Sequence, residues 1–170
     1  CYTMIIPFLP IYLLELGVPK ADVALWSGLV FGITFLIAGI MAPIWGKIAD
    51  NKGKKRMALR AGFAIAFCYV LIGMVTDQYQ LLMGRALVGF ANGFYPAAMT
   101  MVSLSVDEKQ VGRALGIFQT GLILGNVVGP FLGGAVESVV GMRPVFYISG
   151  IAVFIATLAV LFLVKEPKLN

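Results

Sequence analysis

Gly121-Leu-Ile-Leu-Gly125-Asn-Val-Val-Gly129-Pro130-Phe-Leu-Gly133-Gly134 is the stretch on which the fold of this chain turns. Glycine recurs at every fourth position from Gly121 to Gly133 inside an otherwise apolar segment. On a helix these positions form a strip without side chains. Such a strip lets a second backbone come close, which is how helices associate in lipid, where no hydrophobic effect draws them together. Pro130 removes a backbone donor and crowds the preceding turn, which predicts a bend. The expectation is a smooth, bendable membrane helix, and hence a moving part.

Composition agrees with that reading. The 170 residues are 60% hydrophobic and 12% charged, with mean hydropathy +0.95, whereas a soluble domain carries about 25% charged residues. At roughly 20 residues per span, about six helices with short connections fit, and no water-soluble domain is left over. The net charge of +5 is explained by the membrane and does not imply nucleic-acid binding. The absence of His removes His-based metal sites, triads and proton shuttles. Cys68 falls mid-span and reads as a buried structural thiol. Cys1 opens directly into an apolar run, which reads as a first helix truncated at its start.

The expected first span is broken by Pro7 and Pro10 and ends near Leu16. The others cover about 24–45, 57–76, 81–102, 114–136 and 145–164. Trp26 and Trp45 lie roughly 28 Å apart on a helix, the separation of aromatic belts at two interfaces. Arg60, at the start of the third span, is expected to snorkel back to the headgroups. Lys and Arg sort by side. Connections after even-numbered spans, the last including Lys165 and Lys168, carry six, two and two; those after odd-numbered spans carry one, none and one. The positive-inside rule therefore places residues 46–60, 103–113 and the C-terminus in the cytoplasm.

An internal repeat is also visible. Ala42-Pro43-x-x-Gly46-x-x-x-Asp50 is echoed by Gly129-Pro130-x-x-Gly133-x-x-x-Glu137, and Gly53-x-Lys55 by Gly141-x-Arg143 with one residue inserted. Phe8-Leu-Pro10 is matched by Phe94-Tyr-Pro96. Spans one to three (about 1–76) thus duplicate spans four to six (about 77–164). An odd number of spans per unit inverts the second copy, an architecture of secondary transporters.

The loop motif Gly46-Lys-Ile-Ala-Asp50-Asn-Lys-Gly53-Lys54-Lys55-Arg56 combines glycines suited to a tight turn, an acid and a basic cluster able to pair with Asp107 or Glu108. It resembles the hallmark of the major facilitator superfamily. Gly121, Gly125, Gly129, Pro130, Gly133 and Gly134 resemble the antiporter motif of its drug:proton antiporter branch. Leu81-x3-Arg85-x3-Gly89 resembles that branch's fourth-span motif, and Pro7-Phe-Leu-Pro10 its first-span proline pair. Asn51 and Val88 depart from the pattern, standing where the family usually has a basic residue and a Gln. The resemblance covers all six spans and implies an all-α N-terminal half of a twelve-span transporter, with the C-terminal six-span half absent.

That resemblance implies roles. Gly46, Asp50, Gly53, Lys54, Lys55 and Arg56, with Asp107 and Glu108, form a conformational latch on the cytoplasmic side. Arg85, about one turn inside a span, is costly in lipid and so reads as functional, and the resemblance implies a role in proton coupling; its other reading is snorkelling to the outer headgroups. Every carboxylate lies at a span end or in a loop, and Glu137 and Glu15 come nearest to a proton site. Tyr12, Phe31, Phe35, Tyr95, Phe118 and Gln119 are candidate substrate contacts, since aromatic faces suit flat cationic or lipophilic compounds. The implied function is proton-coupled export of lipophilic drugs from a bacterial cytoplasm by alternating access, with the bilayer and the second half as partners, protons as coupling ion and no bound cofactor or metal. A carrier for a sugar, peptide or other metabolite keeps the fold and changes the cargo. A non-transporting membrane scaffold leaves Arg85 and the glycine-proline motif without a purpose. No nucleophile–base pair appears, so the expectation is not an enzyme.

Overall fold

The computed structural model describes residues 5–164; Cys1, Lys165 and Lys168 lie outside them. The described chain is helical, without strands. A 3-10 turn at Ile6–Phe8 leads into α1 (Leu9–Glu15), followed by α2 (Val23–Lys52), α3 (Lys54–Gly73), α4 (Gln78–Ala91) and α5 (Phe94–Leu104). A second 3-10 turn, Glu108–Gln110, precedes α6 (Val111–Val140) and α7 (Met142–Leu163). Among the described residues five stretches are long and apolar enough to cross a membrane: α2, α3, Gln78–Leu104, Glu108–Val140 and α7; the described part of the first span, Ile6–Glu15, is shorter.

Helix boundaries depart from expectation in two places. The basic segment 46–60 is not a loop. Helix α2 runs on to Lys52, Gly53 alone breaks the chain at φ 96°, and α3 starts at Lys54. Lys, Ala and Ile are good enough helix formers to carry the helix out past the apolar stretch, and only a glycine takes that positive φ without strain. The fourth span, in turn, is not continuous: it divides at Asn92–Gly93 between α4 and α5. Gly93, a poor helix former, and Pro96 three residues on together favour this division. The proline has no N–H to offer the Asn92 carbonyl four residues back, and its ring would clash there in an unbroken helix.

The repeat is written in the backbone as well. Both α2 and α6 are 30 residues long, contain a proline (Pro43, Pro130) that does not interrupt them, and end at a positive-φ glycine, Gly53 or Gly141. In each case the glycine N–H closes the helix, on the carbonyls of Ala49 (3.1 Å) and Glu137 (2.9 Å). The cation two residues on then caps the other repeat. Lys55 Nζ donates to the Leu161 carbonyl in the last turn of α7 (2.8 Å). Arg143 Nη2 donates to the Val75 carbonyl just past the end of α3 (3.2 Å). A cation at a helix C-terminus complements the helix dipole and an unsatisfied carbonyl. The two caps lie at opposite ends of the α3–α7 pair, as an inverted repeat requires.

Close backbone approach occurs at α3–α7 and α2–α4. A Cβ on Gly150 would stand 3.1 Å from the Ala66 carbonyl oxygen, and one on Gly89 would stand 2.5 Å from that of Thr34. Gly62 is pressed by Thr157, and Gly73 by the Tyr147 ring. The strip expected to pack along its whole length splits. Gly129 and Gly133 are buried and Gly134 meets the Phe8 ring, while nothing stands within 4 Å of a Cβ on Gly121 or Gly125.

The core gathers at one end of the bundle. Ile5, Leu9, Tyr12 and Leu13 pack with Cys68, Tyr69 and Ile72 of α3, Leu81 and Val88 of α4, and Met142, Val145 and Phe146 of α7. At the basic end only a small cluster of Ala58, Ala97 and Met101 is closed. The bundle is thus sealed at the end away from Gly53 and cleft at the Gly53 end. Helices α2 and α6 are the least covered, with 17% and 6% of their most apolar windows buried.

Candidate functional site

Two clefts flank α5. One, of about 380 Å³, lies between α2 and α5 and is lined among others by Ala42, Trp45, Asp50, Asn92, Tyr95 and Thr100. The other, of about 290 Å³, is lined almost entirely by apolar side chains, including Phe94, Met101, Phe118 and Val160. Tyr95 borders the first and Phe118 the second. Their rings stack at 5.9 Å and 28°, and Gln119 Nε2 donates to the Tyr95 hydroxyl (2.8 Å). The structure therefore brings Tyr95, Phe118 and Gln119 together as an aromatic wall with one polar handle.

Phe31 and Phe35 pair with each other on α2, with ring centroids 4.8 Å apart and both rings about half exposed. Tyr12 does not belong with these residues. It is fully buried, its hydroxyl donates to the Ile72 carbonyl (2.9 Å), and its ring lies on Phe146. Its polar handle is occupied by backbone, so it ties α1 to α3 and offers a solute nothing.

Arg85 is buried at 3% exposure in the α2–α4 contact, not snorkelled outward. Its own carbonyl accepts from the Thr34 hydroxyl (3.2 Å). Gly89, one turn on, permits the close helix approach that encloses it. Glu137 is half-buried near the end of α6, and Glu15 is exposed at the end of α1. Among the described residues no three His, Cys, Asp or Glu side chains gather as metal ligands.

At the basic end Lys54 pairs with Asp50 across the Gly53 break (3.5 Å), and Lys55 reaches α7. Asp107 and Glu108, expected opposite this cluster, form no ion pair among the described residues. Lys55 instead spends its ammonium on the Leu161 carbonyl. These contacts join α2, α3 and α7.

A helix with glycine-proline at an inverted repeat, a Gly-x3-Asp-x2-Gly turn at the basic end and a buried arginine in the broken fourth span now stand together. The sequence model of the Major Facilitator Superfamily matches residues 1–170. This chain belongs to that superfamily. Multidrug resistance protein MdtG of Proteus mirabilis is 43% identical over 166 residues, covering 97% of this chain and 41% of its own length. The proteins of that name from Dickeya zeae and Yersinia enterocolitica are 39% and 42% identical, again over 97% of this chain. The chain spans about two fifths of the length of the curated relatives it matches. As a superfamily member with five membrane-length helices it is a multi-pass membrane protein, and its relatives point to a transporter rather than an enzyme.

Two features of this superfamily member escaped the sequence reading. One is that Arg60 and Trp45 pair with each other across α2 and α3: the Arg60 guanidinium carbon lies 3.5 Å from the Trp45 ring centroid. The signal was Asn92-Gly93 ahead of Pro96, weak helix formers before a proline, where a break leaves carbonyls needing donors. The other is a second uncovered glycine strip, Gly28, Gly32, Gly39 and Gly46 on α2, with open space at each Cβ position. Its spacings of four, seven and seven residues are one turn and twice two turns, which keep one helix face and are visible in the sequence.

Proposed function

We propose that the chain is the N-terminal six-span half of a proton-coupled exporter of lipophilic, cationic compounds in a bacterial cytoplasmic membrane, with its Gly53 end in the cytoplasm. The observation that carries this reading is the Tyr95–Phe118–Gln119 wall between two clefts. Stacked aromatic faces bind flat cations and lipophilic rings, and a single amide–phenol handle orients them without demanding the many hydrogen bonds a sugar requires. The relatives named multidrug resistance proteins support the same substrate class.

In this mechanism the α3–α7 pair, held by its two caps, is the rigid frame. Helices α2 and α6, uncovered and glycine-faced, are the surfaces on which the second half rocks. The Asp50–Lys54 pair and the Lys55 cap hold the basic end of α2, α3 and α7 together in one of the two states. Arg85, a positive charge enclosed in the α2–α4 contact, is the residue we assign to coupling solute movement to protons. Of the two in-chain carboxylates assigned with it, Glu137 is the more sheltered and Glu15 the more exposed.

The test is uptake of a cationic dye into inverted membrane vesicles of the full-length protein. A proton gradient is expected to drive uptake and a protonophore to abolish it. Arg85→Ala is expected to lower the gradient-driven rate at least tenfold at unchanged protein level. Uptake that ignores the gradient removes the coupling; no dye uptake beside uptake of a neutral sugar removes the drug reading.

A further inference from the structure

The break in the fourth span exposes backbone that lipid cannot satisfy. With α4 ending at Ala91, the carbonyls of Phe90 and Ala91 lose the donors a continuous helix would supply. Both are met from neighbouring spans. Trp45 Nε1 on α2 donates to the Phe90 carbonyl (2.8 Å), and Arg60 Nη2 on α3 donates to the Ala91 carbonyl (3.4 Å). The two donors are themselves joined, the guanidinium lying over the indole at 3.5 Å, and the Phe90 ring closes edge-on against that indole at 5.4 Å. A Cβ on Gly93 would stand 3.7 Å from Trp45, so the break fits against the indole itself.

The repeat shows that this clamp is an addition to the architecture. Counting from the paired prolines and from the paired cations, the positions matching Trp45 and Arg60 in the second copy are Leu132 and Ile148, both apolar and exposed. Neither side chain has a polar hydrogen to donate, so these two positions do not repeat the clamp in the second copy.

Tyr95 is the second residue of α5, immediately past the clamped break, and its hydroxyl is the one Gln119 holds. We infer that Arg60 and Trp45 are positioning residues for the solute site: by holding the fourth span broken at Asn92–Gly93 they set the place of Tyr95 opposite Phe118 and Gln119. This rests on the reading of that aromatic wall as the substrate contact. An arginine suits the task because its planar guanidinium stacks on the indole while its edge donates to the carbonyl, which an ammonium cannot do together.

The experiment uses the full-length protein in lipid nanodiscs and proteoliposomes, with ethidium as the transported probe and amide hydrogen exchange read at 93–97. Arg60→Gln is expected to raise the KM for ethidium fivefold or more, to change kcat less than twofold, and to speed exchange at 93–97 at least tenfold. Arg60→Lys, keeping the charge and losing the stack, is expected to fall between wild type and Arg60→Gln in both readouts. Trp45→Phe keeps a ring under Arg60 and removes only the N–H; it should raise KM about twofold, and it carries the test if Arg60→Gln does not fold. An unchanged KM in a folded Arg60→Gln or Trp45→Phe protein overturns the inference, as does faster exchange with unchanged KM, which marks a purely structural clamp. If the wild type moves no ethidium, the drug reading fails by itself. Exchange at 93–97 then decides the clamp alone: unchanged in Arg60→Gln overturns it, and acceleration sustains it for whichever solute the wall takes.

Discussion

At the residue scale, polarity in a span marks function only when its hydrogen-bonding capacity is left for a ligand. Tyr12 and Tyr95 are the same residue type in matching spans, yet the hydroxyl of Tyr12 is spent on the Ile72 carbonyl while that of Tyr95 meets a side chain beside a cleft. Sequence alone could propose both and separate neither, because a backbone acceptor 60 residues away leaves no trace in a local pattern. The difference is measurable. Tyr12→Phe is expected to strip a buried carbonyl of its partner and cost about 1–3 kcal/mol of stability, seen as a lower melting temperature in detergent, with the KM for dye unchanged. Tyr95→Phe is expected to do the reverse, raising KM severalfold at an unchanged melting temperature. Arg85 was legible for the opposite reason: a lone charge in an apolar run is conspicuous whatever packs around it.

Glycine strips at the scale of the element divide by what covers them. Gly89 faces the Thr34 carbonyl, and a methyl there has nowhere to go; Gly121, on the strip that first drew attention, faces open space. Gly89→Ala is expected to destabilise the protein by about 1–3 kcal/mol through overpacking. Gly121→Leu is expected to leave the stability of this half within about 0.5 kcal/mol of wild type and to stop dye transport by blocking approach of the second half. A Gly121→Leu protein that transports normally removes α6 from that interface. The helices and their order were readable from apolar length and charge, as was the repeat. Their ends were not. Lys47 to Lys52 looked like loop because it is basic, whereas helix propensity and the position of Gly53 decide where a helix stops. The fourth span looked continuous because its apolar run is continuous, yet it breaks at Asn92–Gly93 ahead of Pro96.

The whole molecule is a bundle sealed at one end and cleft at the other, with two of its long helices left largely uncovered. Those uncovered faces and the relatives' greater length suit a second half of similar size. Expressed alone, the 170-residue chain is expected to insert and to carry no dye, and co-expression of the following half of the full-length protein is expected to restore transport; dye movement by this chain alone would refute the division of labour.

The reciprocal caps on α3 and α7 also bear on how the protein is made. The Val75 carbonyl is met by a residue 68 positions later, and Lys55 finds its acceptor 106 positions on. Neither contact can form until the last of the six spans has left the ribosome and entered the bilayer. While the fourth to sixth spans are being made, the third therefore waits with an uncapped end and an unspent cation, and arrival of the sixth closes both. A chain stalled before that point exposes the two defects together, one on each side of the membrane, where quality-control proteases of either compartment can read them.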